Sequence, residues 1–321
     1  NFTFFATWSH VYAVTTSTGV VYWKAPNPDM IPSRWSGIVA TNDYVVLGAP
    51  DSREVQLLNA TTGSVIWRKK WNQTFEGPMT AQPYVGRCGV IIFTRNATSC
   101  HAFSDASPVW KVDGVHPSID CCSTGRVAFT NIHVLFGGNI GGTPSAIAID
   151  SLTGAVTWTS ALPRSKGTPE NTPTVVQDVR AAYEGGGALL VAYGTNQVAA
   201  LSTPDHGRWT WHQNYPYTGN VFAIRLSTDN GAVVHLAGDP ANPSLVQVVC
   251  SNVTTGETLW TRTGFNASSM SRQIISPVVL HGVVVFADNS FVYGMSAVDG
   301  TTMWTSPVTQ ESASFTMLTK A

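Results

Sequence analysis

The strongest constraint on this chain is one hairpin signature that returns seven times. It first appears as Val11–Trp23, VYAVTTSTGVVYW. Apolar, β-prone residues run from Val11 to Val14, a turn rich in Thr and Ser ends on Gly19, and a second β-prone run ends on Trp23. Strands favour β-branched and aromatic side chains, and a tight turn favours a residue that tolerates positive φ. Aligned on the tryptophans, the relatives are Val55–Trp67, Cys100–Trp110, Ala146–Trp158, Val198–Trp211, Val246–Trp260 and Val292–Trp304. Four residues before each tryptophan stand Gly19, Gly63, Ala106, Gly154, Gly207, Gly256 and Gly300. Glycine is 28 of 321 residues, so six glycines in seven such positions mark a repeat.

The tryptophans are 44, 43, 48, 53, 49 and 44 residues apart. That is the length of one four-stranded propeller blade. Two more apolar runs precede each later hairpin. They are Ser36–Ala40 and Tyr44–Gly48 in the second unit, and Gln273–Leu280 and Val283–Ala287 in the last. The expected fold is therefore all-β: a seven-bladed β-propeller of four-stranded antiparallel blades, one domain over residues 1–321. The first hairpin has only Phe2–Thr7 before it, so its blade lacks an inner strand. Ala313–Thr319 can supply it, closing the ring with N-terminal strands plus one C-terminal strand and removing open sheet edges.

AIAIDSLTGAVTW (Ala146–Trp158) and VQLLNATTGSVIW resemble the A-x-D-x-x-T-G-x-x-x-W repeat of PQQ-like, quinoprotein-type β-propellers. The resemblance covers nearly the whole chain and is specific for fold rather than for function. It implies that Trp23, Trp67, Trp110, Trp158, Trp211, Trp260 and Trp304 dock between neighbouring blades as packing residues. Quinone-dependent dehydrogenases of that family carry a vicinal disulfide, and Cys121-Cys122 invites comparison. Those enzymes are eight-bladed and longer, and their calcium-binding carboxylates and amide find no match in this chain. The expectation is a non-enzymatic member without a cofactor; the alternative is a redox enzyme with a quinone in the channel.

Composition narrows the partners. Charged residues make up 12% of the chain, net charge is −1, and no basic run exists, which argues against nucleic acid. No apolar run is long enough to span a membrane. The first residues already read as strand and the last follow the closing strand. An extracellular, cell-surface ectodomain of a single-pass membrane protein is expected, with membrane contact only through a segment outside this stretch. Sequons at Asn1, Asn59, Asn72, Asn96, Asn252 and Asn266 point to a glycosylated secretory protein, all but Asn1 in expected turns or loops. Cys88, Cys100, Cys121 and Cys122 cluster in sequence as disulfide candidates. The sequence does not fix the pairing: Cys88 and Cys100 are expected at opposite ends of one blade, and Cys88 with Cys121 or Cys122 is a plausible alternative. Cys250, inside an apolar run, reads as a buried free thiol.

Catalytic signatures are sparse. The eight histidines show no ligand-pair spacing, no Cys-x-x-Cys occurs, and there is no G-x-S-x-G elbow. A metal site is not expected. What remains is the channel mouth, where the fourth strand of one blade passes to the first strand of the next. These connections carry Trp35, Trp71, Phe75, His116, Tyr215, Tyr217 and Arg272. Aromatic residues and Arg dominate binding hot spots, although each could equally cap the core beneath its loop. Asn72, Asn96 and Asn266 belong to the same expected face, where glycans would narrow the approach of a large partner. The expected role is a surface receptor, adhesion or ligand-binding module for a protein, glycan or small molecule.

Overall fold

The structure is a computed structural model. It describes residues 2–7, 9–27, 37–48, 54–70, 79–117, 127–130, 132–140, 143–162, 176–182, 187–193, 197–215, 226–229, 231–238, 241–242, 245–266, 277–288 and 291–307. These form antiparallel sheets that follow one another along the chain, each built from consecutive strands. Sheet I holds β1 (Phe2–Ala6), β2 (His10–Thr15) and β3 (Val21–Pro26). Sheet II holds β4 (Gly37–Ala40), β5 (Tyr44–Gly48), β6 (Glu54–Asn59) and β7 (Val65–Lys70). Sheet III holds β8 (Tyr84–Val85), β9 (Val90–Phe93), β10 (Ala97–His101) and β11 (Pro108–Asp113). Sheet IV holds β12 (Val127–Phe129), β13 (His133–Ile140), β14 (Thr143–Asp150) and β15 (Val156–Ala161). Sheet V holds β16 (Val176–Ala182), β17 (Ala188–Tyr193), β18 (Gln197–Ser202) and β19 (Arg208–Asn214). Sheet VI holds β20 (Leu226–Asp229), β21 (Ala232–Gly238), β22 (Leu245–Asn252) and β23 (Thr258–Asn266). Sheet VII holds β24 (Val278–Leu280), β25 (Val283–Ala287), β26 (Phe291–Ser296) and β27 (Thr302–Pro307).

The described residues thus make six four-stranded blades, not the seven expected, and sheet I has three strands. The closing strand expected at Ala313–Thr319 lies outside the described residues. First strands adjoin across blades: β20 and β24 are tied by Val279 N–H donating to Ser227 Oγ at 2.9 Å, and Tyr84 of β8 stacks on Phe129 of β12.

All seven hairpins share one irregularity. The register slips immediately after the residue paired with the tryptophan: between Leu57 and Leu58, Cys100 and His101, Ala148 and Ile149, Ala200 and Leu201, Cys250 and Ser251, Gly294 and Met295, and Ala13 and Val14. The extra residue is always the one before the tryptophan. A bulge bends its strand and increases the local twist. It leaves Tyr22, Val109, Leu259 and Met303 outward and exposed.

Each wedge then meets the next blade. The rings of Trp23, Trp110, Trp211 and Trp260 lie where a Cβ on Gly63, Gly154, Gly256 and Gly300 would come within 2.6–2.7 Å, and Trp158 covers Gly207 in the same way. These glycines have φ between +71° and +78°. Both the backbone and the approaching indole therefore demand the missing side chain. In sheet III the place is taken by Ala106 at φ 59°, packed in one core cluster with Trp67. Trp23, Trp211 and Trp260 also donate Nε1–H to Ala60, Val253 and Ala297 carbonyls at 2.7–2.9 Å. Trp67, Trp110 and Trp158 bury the same group without a partner. Trp304 departs from the packing role expected of it: it is 44% exposed and lies over Gly294 of its own sheet.

Two residues beyond the tryptophan, a second tie recurs. Lys69 Nζ donates to Ala106 O, Gln213 Nε2 to Gly256 O and Arg262 Nε to Gly300 O. Each long donor satisfies a turn carbonyl of the following blade. In sheet III, His101 joins this tie through Nδ1 to Ala106 O at 3.1 Å and Nε2 to Ser99 Oγ at 3.0 Å. Burial, with the Lys69 ammonium beside it, pulls His101 down to about 4.

Cys88 and Cys100 form a disulfide, contrary to the expectation that they sit at opposite ends of a blade. That expectation started the third strand at Cys100. In fact β10 starts at Ala97, and the tight β9–β10 turn sets Cys100 opposite Ile91, close to Cys88. Cys121 and Cys122 lie outside the described residues. Cys250 is buried and free, and burial raises its thiol to about 11.

Candidate functional site

Each blade has two ends. The lower end carries the Gly turn between third and fourth strands. The upper end carries the turn between second and third strands and the exit of the fourth strand. The upper end is where sequence reasoning placed the binding residues.

Two of those residues are described. His116 follows β11, half-buried, with Nδ1–H donating to Pro117 O at 3.1 Å; Pro117 bridges to Gly138 of sheet IV. Tyr215 follows β19 and meets His235 of sheet VI edge-on, with ring centroids 4.7 Å apart. Its hydroxyl donates to Gln213 Oε1, and burial raises the phenol to about 12. His116 and Tyr215 therefore occupy separate blade junctions, III–IV and V–VI. Trp35, Trp71, Phe75, Tyr217 and Arg272 lie outside the described residues.

Beneath the upper end is a layer that sequence reasoning missed. Three residues before the partner of the wedge tryptophan, on the third strand, stand Glu54, Ser145, Gln197 and Gln247 in sheets II, IV, V and VI. All are buried, between 2% and 7% exposed. Burying polar groups is costly without partners, and these have them. Gln56 Nε2 donates to Glu54 Oε1 at 3.1 Å, and Lys70 Nζ lies 3.6 Å from Glu54 Oε2. Ser145 Oγ donates to Thr143 O, Gln197 Nε2 to Asn214 Oδ1 at 2.9 Å, and Gln247 Nε2 to Gly238 O at 2.9 Å. The shared register was available by aligning on the tryptophans. It escaped notice because a polar residue at a strand start reads as loop.

In sheet VII that register holds Phe291, which is 41% exposed, and the buried polar group is instead Asp288 in the preceding β25–β26 turn, which accepts Phe291 N–H at 2.8 Å and Tyr293 Oη–H at 3.0 Å. Burial, together with Asp288, raises the Tyr293 phenol to about 12. Tyr293 stacks on Phe286 at 5.0 Å, and Phe265 of sheet VI stands edge-on to both. This aromatic group fills the VI–VII junction with rings in mutual contact. His235, wholly buried with neither ring nitrogen partnered, is held by burial at about 3 and is therefore neutral. Among the described residues, no three His, Cys, Asp or Glu side chains gather in a metal-holding group. The described upper end offers hydrogen bonding and aromatic contact on a rigid floor.

The sequons divide by role. Asn59 and Asn252 end their strands at the lower turns, where each Oδ1 accepts two backbone N–H groups, at 2.8–3.0 Å. Asp150 does the same in sheet IV. Here the sequon coincides with the Asx position of the repeat. Asn96 lies exposed in the β9–β10 turn at the upper end. Asn266 is the last residue of β23 rather than part of a loop. Asn1 and Asn72 lie outside the described residues.

Four-stranded antiparallel blades in series, with bulge-mounted tryptophans from sheets I–VI packed against the turn of the following blade, a Gly turn in all but one case, define a β-propeller of PQQ-like repeats. The chain belongs to the family described as outer membrane protein assembly factor BamB, whose model matches residues 8–182 and 147–319. BamB from Moraxella catarrhalis is similar in structure, with TM-score 0.67 at 19% identity over 95% of this chain and 87% of that one. A europium-containing methanol dehydrogenase reaches TM-score 0.67 at 12% identity, over 96% and 76%. Sqt1 from Saccharomyces cerevisiae reaches 0.66 at 9%, over 92% and 78%. At these identities the likeness is one of fold. No curated protein matches the sequence.

Proposed function

We propose that this chain is a non-enzymatic, protein-binding propeller whose partner sits on the upper end. The carrying observation is the buried, hydrogen-bonded layer at one register of sheets II, IV, V and VI. It makes a stiff floor at the upper end, where His116 and Tyr215 lie; Trp35, Trp71, Phe75, Tyr217 and Arg272, outside the described residues, are assigned to the same site by sequence alone. Rigid scaffolds presenting variable loops are how binding sites are commonly built. The family's description as an assembly factor supports a role in protein contact. In this reading the ring has seven blades, sheet I being completed by Ala313–Thr319. The Cys88–Cys100 bridge and exposed Asn96 favour an oxidising, secretory setting and a glycosylated cell-surface ectodomain.

The test is site-specific photocrosslinking in the native host, with a benzophenone side chain at Asn96 or His116 above and at Thr61 below. The upper positions should capture the same protein while Thr61 captures none. Capture from Thr61 alone would sink the upper-end assignment. A second reading is a quinone enzyme, favoured by the likeness to methanol dehydrogenase. A quinone absorption band, or dye-linked alcohol oxidation after adding quinone and Ca²⁺, would decide for it.

A further inference from the structure

The outer edges of the blades carry a charge pattern that the composition hides. Over the whole chain 18 Lys and Arg stand against 19 Asp and Glu. The last strands of sheets I–III break that balance, holding Lys24, Arg68, Lys69, Lys70 and Lys111 against one acid, Asp113. These strands, β3, β7 and β11, are outer edges: each lies across its sheet from β1, β4 or β8, and those first strands adjoin one another. Lys24, Arg68 and Lys111 each follow directly on a wedge tryptophan, past the same bulge, so shared geometry sets them at one height on three consecutive blades. The three blades are in contact, Trp23 on Gly63 and Trp67 against Ala106. In sheets IV–VII that register holds Thr159, His212, Thr261 and Thr305, so the row ends with sheet III. All three cations are exposed, as is Lys70, two residues beyond Arg68. Their contacts are of the kind that water weakens. Lys24 lies over the Tyr12 ring at 5.6 Å, Lys70 Nζ is 3.6 Å from Glu54, and Lys111 Nζ is 2.7 Å from the exposed Asp113. Lys69 is half-buried and bound to Ala106 O, outside the row.

We propose that this row binds a linear sulfated polysaccharide, laid across the outer edges of sheets I–III with its sulfates on Lys24, Arg68, Lys70 and Lys111. At least one exposed cation per blade, three of them at a fixed height, suits an anion that repeats along a chain; a lone phosphate would not span the three blades. Arg68 offers a planar fork to an oxyanion, and the lysines offer point charges on flexible stems. Tyr22, outward and 55% exposed beside Trp23, presents a ring face on which a pyranose can stack. The choice of a polysaccharide over a nucleic acid or an acidic protein segment rests on the secretory setting proposed for the chain.

The experiment is isothermal titration of the full chain with a heparin dodecasaccharide. Four cation–sulfate contacts should lower the affinity on the order of 100-fold between about 50 and 200 mM NaCl, by the counterion release that phosphate polymers show. Lys24→Gln with Arg68→Gln and Lys111→Gln should weaken binding at the lower salt by at least about tenfold and flatten the salt dependence by about three ions. Arg87→Gln with Arg95→Gln and Arg208→Gln removes three exposed cations that lie off the row. Either triple change takes the net charge from −1 to −4, and the second should bind as the parent does. No binding by the parent at the lower salt, or equal weakening in both variants, overturns the row. Displacement of the dodecasaccharide by poly-glutamate or single-stranded DNA at equal charge overturns the polysaccharide. Titration does not depend on compartment, and photocrosslinking at His116 reads the upper-end partner, so the row and the proposed function fail separately.

Discussion

Gly256→Ala isolates what the wedge contributes. The residue has φ +74°, and its added Cβ would lie 2.6 Å from the Trp211 ring. Two costs add. A non-glycine residue in the left-handed region costs about 1–2 kcal/mol. Forcing a methyl into a packed contact costs a further ~1–3 kcal/mol, because the indole must shift against the core of sheets V and VI. The sum is about 2–5 kcal/mol. Gly231→Ala supplies the reference in the same sheet: φ is +75° and nothing lies within 4 Å, so only the backbone cost of about 1–2 kcal/mol applies. The assay is urea unfolding of both variants beside the parent, followed by far-UV circular dichroism, comparing midpoints at equal slope. Gly256→Ala should have the lower midpoint, by the equivalent of ~1–3 kcal/mol. Equal midpoints would refute the claim that the glycine is required by the approaching tryptophan as well as by its own backbone.

Three further outcomes follow from particular groups. His235 is held near 3, below its ordinary value, so the unfolded chain binds more protons between about 3 and 6.5. Stability from keeping it neutral is full above that window and is lost as pH falls through it. His235→Leu, the residue that sheet II has at the corresponding position as Leu47, should flatten the loss of thermal stability between pH 7 and pH 5; an unchanged slope would place the acid sensitivity elsewhere. His101, held down to about 4 by burial and then by Lys69, should leave a residual slope of the same sign. Breaking the Cys88–Cys100 bridge, which joins residues 12 apart, by Cys88→Ala with Cys100→Ala should cost about 3 kcal/mol in urea unfolding. Asn59→Asp should retain stability, since Asp150 performs the same turn cap, while Asn59→Ala should cost ~1 kcal/mol; equal losses in both would show that the cap is unimportant.

The repeat signature alone determined much of this protein. A strand pattern that breaks at a tight turn and ends on Trp is local chemistry, so the last two strands of every sheet were legible, as were β5 and β25. Their spacing determined the propeller, and their resemblance the family. What a local pattern cannot carry is the partner of a residue distant in sequence. The bulge before each tryptophan needs two strands paired in register, and the packing of Trp23, Trp110, Trp158, Trp211 and Trp260 on a following turn glycine exists only when two blades meet. Cys88 and Cys100 pair because a tight turn folds β10 back along β9, a detail set by where the strand starts and not by cysteine spacing. Glu54, Gln197 and Gln247 read as surface residues from their chemistry, but neighbouring elements bury them and supply their hydrogen bonds. Trp304 shows the converse: its motif says wedge, and the tertiary structure leaves it 44% exposed over Gly294 of its own sheet.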